Sequence, residues 1–296
     1  MTIRINRAEQ TSVVDRALKE ISHIATLPEI TVRIVELVED PASTASDLRS
    51  LIEHDPALCA RVLKVVNSSF YGLPGQVASI ERAIVLLGLN AVKNIAISAS
   101  LTKMFKTGNI CPGFAAKDLW VHAAGTAAAA KLIAQELGMA LTDQAFLAGL
   151  IHDIGVMVEL QYDRNRIIDV MDRVDPTSGG DPNGDMLAAE QDIYGATHQE
   201  FGEGLCAKWH FPASLVQVCG HHHDPANAEE SARTLVHLVH AADRIAAQQK
   251  IGFRLDVPDT NILPETIDHL SLTDQHLEAV NTVVYEATEE VLSLLS

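Results

Sequence analysis

The sequence is poor in several things, and each scarcity removes a class of protein. Aromatic residues make up 4% of the 296 residues, too few for the Trp- and Tyr-rich cores common in β-proteins. The four cysteines, Cys59, Cys111, Cys206 and Cys219, are scattered and form no CxxC pair. They read as small buried apolar residues of a reduced compartment, not as a disulfide or zinc framework. Basic residues are outnumbered, 22 Lys+Arg against 39 Asp+Glu, for a formal charge of −17. That balance excludes broad nucleic-acid binding, which needs a cationic surplus to displace counterions. No uncharged stretch approaches the ~20 apolar residues of a membrane span, and the N-terminal MTIRINRAEQTSVVDRALKE has no signal-peptide apolar core. A cytoplasmic protein with no membrane or nucleic-acid partner is expected.

What remains is an alanine-rich chain, 47% apolar, with apolar residues at helical spacing from end to end. Helices are predicted over 11–24, 29–39 and 57–67, the last opened by Asp55-Pro56 as cap and first-turn proline. Ser79 opens another that stops at Gly88, and Asn90 is read as the cap of one running to about Met104. After the 107–113 punctuation follow helices near 116–137, 143–161, 163–174, 186–194, 197–209, 213–222, 230–249 and 273–295. The weak strand candidate is 253–257 (FRLDV). The expected fold is all-α, a multi-helix bundle with an N-terminal helical part (1–112) and a helical core (113–296). Loop 67–76 reads as a capped turn ahead of a contact surface. Segment 175–185 reads as a connector ahead of a lid.

Histidine carries the chemical signal. Nine of the 13 lie between His122 and His240, including a His152-Asp153 pair and a His221-His222-His223 run. Imidazole with carboxylate suits iron, manganese, zinc or nickel. An adjacent His-Asp pair on one helix serves two ions only if the carboxylate bridges them, and a water shared by two ions becomes a hydroxide nucleophile near neutral pH. Ligands dispersed over several helices meet inside a bundle. His240, three residues before Asp243, shares its face. His210 reads as a helix-end residue, His237, one turn before His240, as facing either the site or else core or solvent, and Trp120 and Trp209 as core anchors with satisfied indole N–H groups.

The order of the motifs resembles a known family. LPEITVRIVELVEDPASTASDLRSLIEHDPALCARVLKVVNSSFYG, then SIERAIVLLGLNAVKNIAIS, look like the N-terminal part of HDOD domains, the HD-related output domains of bacterial signalling proteins. LWVHAAGTAAAAKLIA, FLAGLIHDIG, ATHQEFGEGLCAKWHFPASLVQVCGHHHDP and LVHAADRIA follow in the order of the HD-type helical core. The resemblance covers roughly 15–250. It implies an all-helical fold shared with metal-dependent HD phosphohydrolases, and a ligand set of His122, His152, Asp153, His198, His222, His223 and Asp243 for one or two divalent ions. His240, His221 and Arg244 are candidates for the surrounding shell.

Two departures bear on catalysis. The HD-GYP phosphodiesterases of cyclic di-GMP carry a lysine where this chain has Val156, and a GYP-containing stretch where it continues Asp224-Pro225-Ala226. A missing phosphate-binding cation weakens transition-state stabilisation, so cyclic di-GMP hydrolysis is not expected; Lys131, Lys208 or Arg244 are the residues that could substitute. The leading expectation is a signal-transduction output module that works through contacts with signalling proteins. The alternatives are a phosphohydrolase of nucleotides or phosphodiesters, with Asp153 bridging the ions and activating hydroxide, and a sensor that binds a nucleotide or phosphate ligand without cleaving it.

Overall fold

The computed structural model describes residues 7–21, 28–39, 42–101, 109–111 and 114–295. Among them are sixteen α-helices: α1 (Arg7–Glu20), α2 (Glu29–Glu39), α3 (Ala45–Glu53), α4 (Pro56–Val66), α5 (Ile80–Leu87), α6 (Leu89–Leu101), α7 (Ala116–Glu136) and α8 (Thr142–Ile151). They continue with α9 (Ile154–Tyr162), α10 (Arg164–Val174), α11 (Met186–Tyr194), α12 (His198–Lys208), α13 (Ala213–His221), α14 (Arg233–Gln248), α15 (Pro264–Leu270) and α16 (Asp274–Leu295). The all-α expectation holds, with one local addition. Asn109–Cys111 and Phe114–Ala115 pair as a two-stranded antiparallel ribbon, β1 and β2, whereas 253–257 is irregular. The expected part boundary at 112/113, and the expected helix ends at 22–24 and 102–104, lie outside the described residues.

Local chemistry explains most helix starts. Asp55 accepts from the Ala57 and Leu58 amides, Ser79 from Arg82, and Asp163 from Asn165 and Arg166, as N-caps do. Thr44 and Asp47 form a reciprocal capping box for α3, a helix the periodicity reading passes over. Asn90 falls inside the first turn of α6 rather than capping it, because the helix begins at Leu89 directly after Gly88, which is left-handed at φ 88°.

Helix α7 is the centre of the molecule, buried on nearly every face and packed against α8, α14 and α16. Its run of small side chains lets these neighbours approach closely. The N-terminal helices are fastened to this core by polar clasps. Tyr71 donates to Asp143 Oδ1 at 2.9 Å, and the buried Lys131 Nζ lies 3.3 Å from the same oxygen and 3.5 Å from the Tyr71 ring centroid. Phe70 N–H donates to Glu290 on α16. Within the 67–76 loop, the Asn67 side chain brackets both backbone groups of Val77, so the segment is the capped turn its composition implies. Helix α1 lies against α9 and α12.

Candidate metal centre

The expected single helix over 143–161 is two helices, and the His-Asp pair sits in the break. His152 ends α8, Asp153 (φ −94°, ψ 16°) opens α9, and both are buried. The break has a packing cause. A Cβ on Gly155 would stand 1.8 Å from the His198 carbonyl oxygen and 2.7 Å from the Gly202 amide nitrogen, so α9 rests directly on the backbone of α12. The pair therefore reaches the centre from a corner, where two successive side chains can both point inward.

The remaining residues arrive from four other places. His122 comes from the middle of α7, and His198 opens α12 behind a Thr197–Glu200 capping box. His222 and His223 follow the end of α13, and Asp243 is in mid-α14. The seven residues implied by the resemblance come together in two groups that meet at Asp153. On one side, His122 Nε2 lies 3.1 Å from Asp243 Oδ1 and 3.8 Å from Asp153 Oδ2, and His152 Nε2 lies 3.3 Å from Asp153 Oδ2. On the other, Asp153 Oδ1 lies 3.3 Å from His222 Nε2 and 3.7 Å from His198 Nε2. His223 and Asp256 complete that second group, with donor atoms within 4.8 Å of one another.

Several of these buried atoms have no hydrogen-bond partner: both oxygens of Asp153, Asp243 Oδ1, both oxygens of Asp256, and Nε2 of His152 and His222. Orphaned buried acceptors of this kind are costly unless a cation satisfies them. Metal–donor bonds of about 2.0–2.2 Å set two ligands of one ion about 3.0–3.6 Å apart, close to the 3.1–3.8 Å that separates these donors. The residues present thus fit a divalent ion on each side of Asp153.

The electrostatics agree. Burial works against a charged His122 ring, but the Asp243 hydrogen bond and the charges of Asp243 and Asp153 raise it to about 9. Against the same burial, Glu190 and Asp153 lift His198 to about 10. Burial pushes the Asp153 carboxyl up, yet His152, His222 and His198 hold it well below the usual carboxylate range. Burial, partly offset by Asp153, holds His222 down to about 4. Two carboxylates are calling for positive charge, which the imidazoles supply by taking protons and a cation would supply in their place.

Second partners aim the rings. Nδ1 of His152 donates to the Gly149 carbonyl at 2.7 Å, that of His222 to Val218 at 3.1 Å, and that of His122 to Ile251 at 3.3 Å. His198 Nδ1 faces the Glu190 carboxylate at 2.9 Å. Each such contact fixes the tautomer that leaves Nε2 free to ligate. His240 is satisfied at both nitrogens, donating to the His222 carbonyl at 2.8 Å and accepting from the Leu263 amide, so it positions His222. His221 ends α13 and belongs to neither donor group.

Of the three cations considered near Val156, Arg244 alone touches the centre, 3.3 Å from Asp243 Oδ2 and 3.3 Å from His223 Nδ1. Lys131 is committed to Asp143, and Lys208 donates to the Leu18 carbonyl. His237 bonds Thr266 and stacks on His269. His210 follows α12 in a left-handed conformation (φ 56°). Trp209 is a core anchor, but its indole N–H has no partner, contrary to expectation.

Sequence reasoning missed two residues. Glu190, eight residues before His198, carries no motif; the contact exists because the left-handed turn at Gly195 (φ 83°) brings the first residue of α12 back to Glu190. Asp256 lies within 253–257, read as a weak strand. Burial and the charges of Asp153 and Asp243 push its carboxyl up to about 7. Residues 251–257 form a strap across the centre: Phe253 N–H donates to the Asp118 carbonyl at 2.9 Å. A Cβ at Gly252 (φ +67°) would come within 2.4 Å of the His122 amide nitrogen. Arg254 ties the strap to segment 175–185 through Asp181 Oδ1 at 2.8 Å and the Gly179 carbonyl.

Fold and site together define an all-helical protein with a buried His/Asp centre able to hold divalent metal. Comparison with known proteins adds the family. The HDOD domain matches residues 24–225, and the chain belongs to that family. Asp243 and Asp256 lie beyond the matched span. A curated relative, an uncharacterized protein of Treponema pallidum, is 25% identical over 256 residues, covering 81% of this chain; the chain spans 46% of that relative's length. Among solved structures, a candidate signal transduction protein of Marinobacter aquaeolei superposes with a TM-score of 0.74 at 21% identity, covering 99% of this chain and 67% of that one. A candidate phosphohydrolase of Shewanella amazonensis superposes at 0.72 with 23% identity, covering 96% and 98%. At these identities the likeness is one of fold. No helix among the described residues is long and apolar enough to cross a membrane.

Proposed function

We propose that this chain is a bacterial signal-transduction output module of the HDOD type, acting in the cytoplasm through contacts with signalling proteins, and that its His/Asp centre is a structural metal site. The observation that carries this reading is closure. His122, His152, His198, His222 and Asp243 are fully buried, Asp153 is 2% exposed, and the His223 side chain is 5% exposed. A catalytic ion keeps a position open to substrate, whereas these donors lie beneath a strap pinned at Gly252 and Arg254. The absence of a lysine at Val156 and the acidic surface point the same way, since both disfavour a phosphate ester. A divalent metal bound here would cross-link α7, α12, α13, α14 and the α8–α9 corner, stabilising the folded state by mass action.

The rival reading, a phosphohydrolase, draws on Asp153 presenting one oxygen to each donor group and on Arg244 beside them. In that reading the metal would supply an activated hydroxide and Lewis acidity. The experiment is metal content by elemental mass spectrometry, followed by thermal unfolding with and without chelator and a chromogenic phosphodiester assay with added manganese. The structural reading expects bound metal, a lower Tm after chelation, and no turnover. Turnover abolished in Asp153→Ala would transfer the site to the hydrolase; a chain that takes up no metal would end both metal readings.

A further inference from the structure

The two histidines of the 222–223 doublet are set up differently. His222 donates its Nδ1–H to a backbone carbonyl and leaves Nε2 without a hydrogen-bond partner, as His152 does. His223 presents Nδ1 to Arg244 Nη2 at 3.3 Å. A guanidinium has only donors, so this nitrogen must accept, and the ring's single proton then sits on Nε2. That protonated Nε2 lies 3.2 Å from His198 Nε2 and 3.1 Å from Asp256 Oδ2. A nitrogen bearing a proton has no lone pair for a metal. Asp256, in contrast, is a fully buried carboxylate with no hydrogen bond to either oxygen, carried into the donor group by the strap.

We propose that Asp256, not His223, is the ligand that joins Asp153, His198 and His222 on the Asp153 Oδ1 side. His223, its ring oriented by Arg244, keeps its Nε2–H beside Asp256 Oδ2 and His198 Nε2 and stays outside the ligand set. The inference rests on the metal-centre reading above and deepens it. The strap becomes a ligand-bearing element, so filling the site and pinning 251–257 are the same event. Arg244, Asp243 and His223 then form the fixed wall against which Asp256 closes.

The test uses the full-length chain loaded with zinc. Long-range proton–nitrogen correlation spectra of nitrogen-15-histidine-labelled wild-type protein report each ring's tautomer and any metal-bound nitrogen. The expected result is metal-bound Nε2 for His122, His152, His198 and His222, and an unligated Nε2–H ring for His223; a metal-bound Nε2 on His223 overturns the assignment. Metal content and chelator competition supply the second readout. Asp256→Asn, nearly isosteric, should lose one ion or bind it roughly 100-fold or more weakly, beyond the ~10–100-fold of an outer partner. His223→Gln should keep both ions within about threefold of wild-type affinity, given Gln's own donor. The reverse pattern refutes the proposal while leaving the metal centre intact. Wild-type protein that binds no zinc refutes both. Arg244→Leu adds a readout that mere packing would not move: freed from the guanidinium, His223 can protonate Nδ1, and its ring should shift to the metal-bound class.

Discussion

Gly155→Ala puts the packing argument to its sharpest test, because one methyl group is asked to dislocate the whole centre. The added Cβ would lie 1.8 Å from the His198 carbonyl oxygen, 2.7 Å from the His198 carbonyl carbon and 2.7 Å from the Gly202 amide nitrogen. All three are backbone atoms, so no rotamer change relieves the clash. Real Cβ atoms essentially never approach closer than 3.0 Å, which requires α9 and α12 to separate by at least 1.2 Å at this point. Metal–donor distances tolerate about 0.2 Å, and the displaced residues carry Asp153 and His198. The substitution should therefore abolish binding on the Asp153 Oδ1 side. It should also cost the ~1–3 kcal/mol or more of an overpacked core, a fall of about 2–4 °C in Tm per kcal/mol for a chain of this size. Gly220→Ala is the control: it lies in α13 two residues from His222, but the three atoms nearest its Cβ all belong to the Glu203 side chain, the closest being the terminal Cδ at 3.1 Å, which can turn away. That variant should keep its metal and be neutral or gain up to about 1 kcal/mol from helix propensity. Metal content and differential scanning calorimetry on both variants decide it. A Gly155→Ala protein with wild-type zinc content and Tm refutes the reasoning.

Other consequences are equally direct. Glu190→Gln removes the charge that grips the His198 ring and its backbone N–H; metal affinity should drop about 10–100-fold, and an unchanged chelator titration would contradict that role. Lys131→Met leaves Asp143 with Tyr71 alone and empties the face over both aromatic rings. It should cost about 1–3 kcal/mol and speed hydrogen exchange in 67–76, while metal content stays at the wild-type level. Thr44→Ala breaks the α3 capping box and should cost about 1 kcal/mol, measured by denaturant unfolding, with no effect on metal.

Residues 147–156 show where local information stops. A helical apolar pattern runs through LAGLIHDIGV without interruption, so periodicity reads one helix; the corner at His152-Asp153 exists because Gly155 abuts the backbone of α12, 43 or more residues later in the chain. Much else was local and therefore legible. Helical spacing marks α2, α4, α5, α10 and α16, and Asp55, Ser79 and Gly88 mark their ends through hydrogen bonds within four residues. The ordered histidines and aspartates pointed to one centre from residue type and family likeness. The missed pieces are nonlocal. Glu190 meets His198 across a turn between helices, Asp256 reaches the site on an irregular strap held by Gly252 and Arg254, and Arg244 selects the His223 tautomer from the next helix. Lys131, read as a possible phosphate cation, is claimed by Asp143 and Tyr71 from another part of the chain. The amino-acid sequence alone determined a helical chain with a histidine–carboxylate centre, because both are written in short-range spacing and side-chain chemistry. Tertiary structure decided that the centre is closed, which carboxylate completes it and which cation attends it. Those depend on the approach of segments far apart in sequence, which only packing sets.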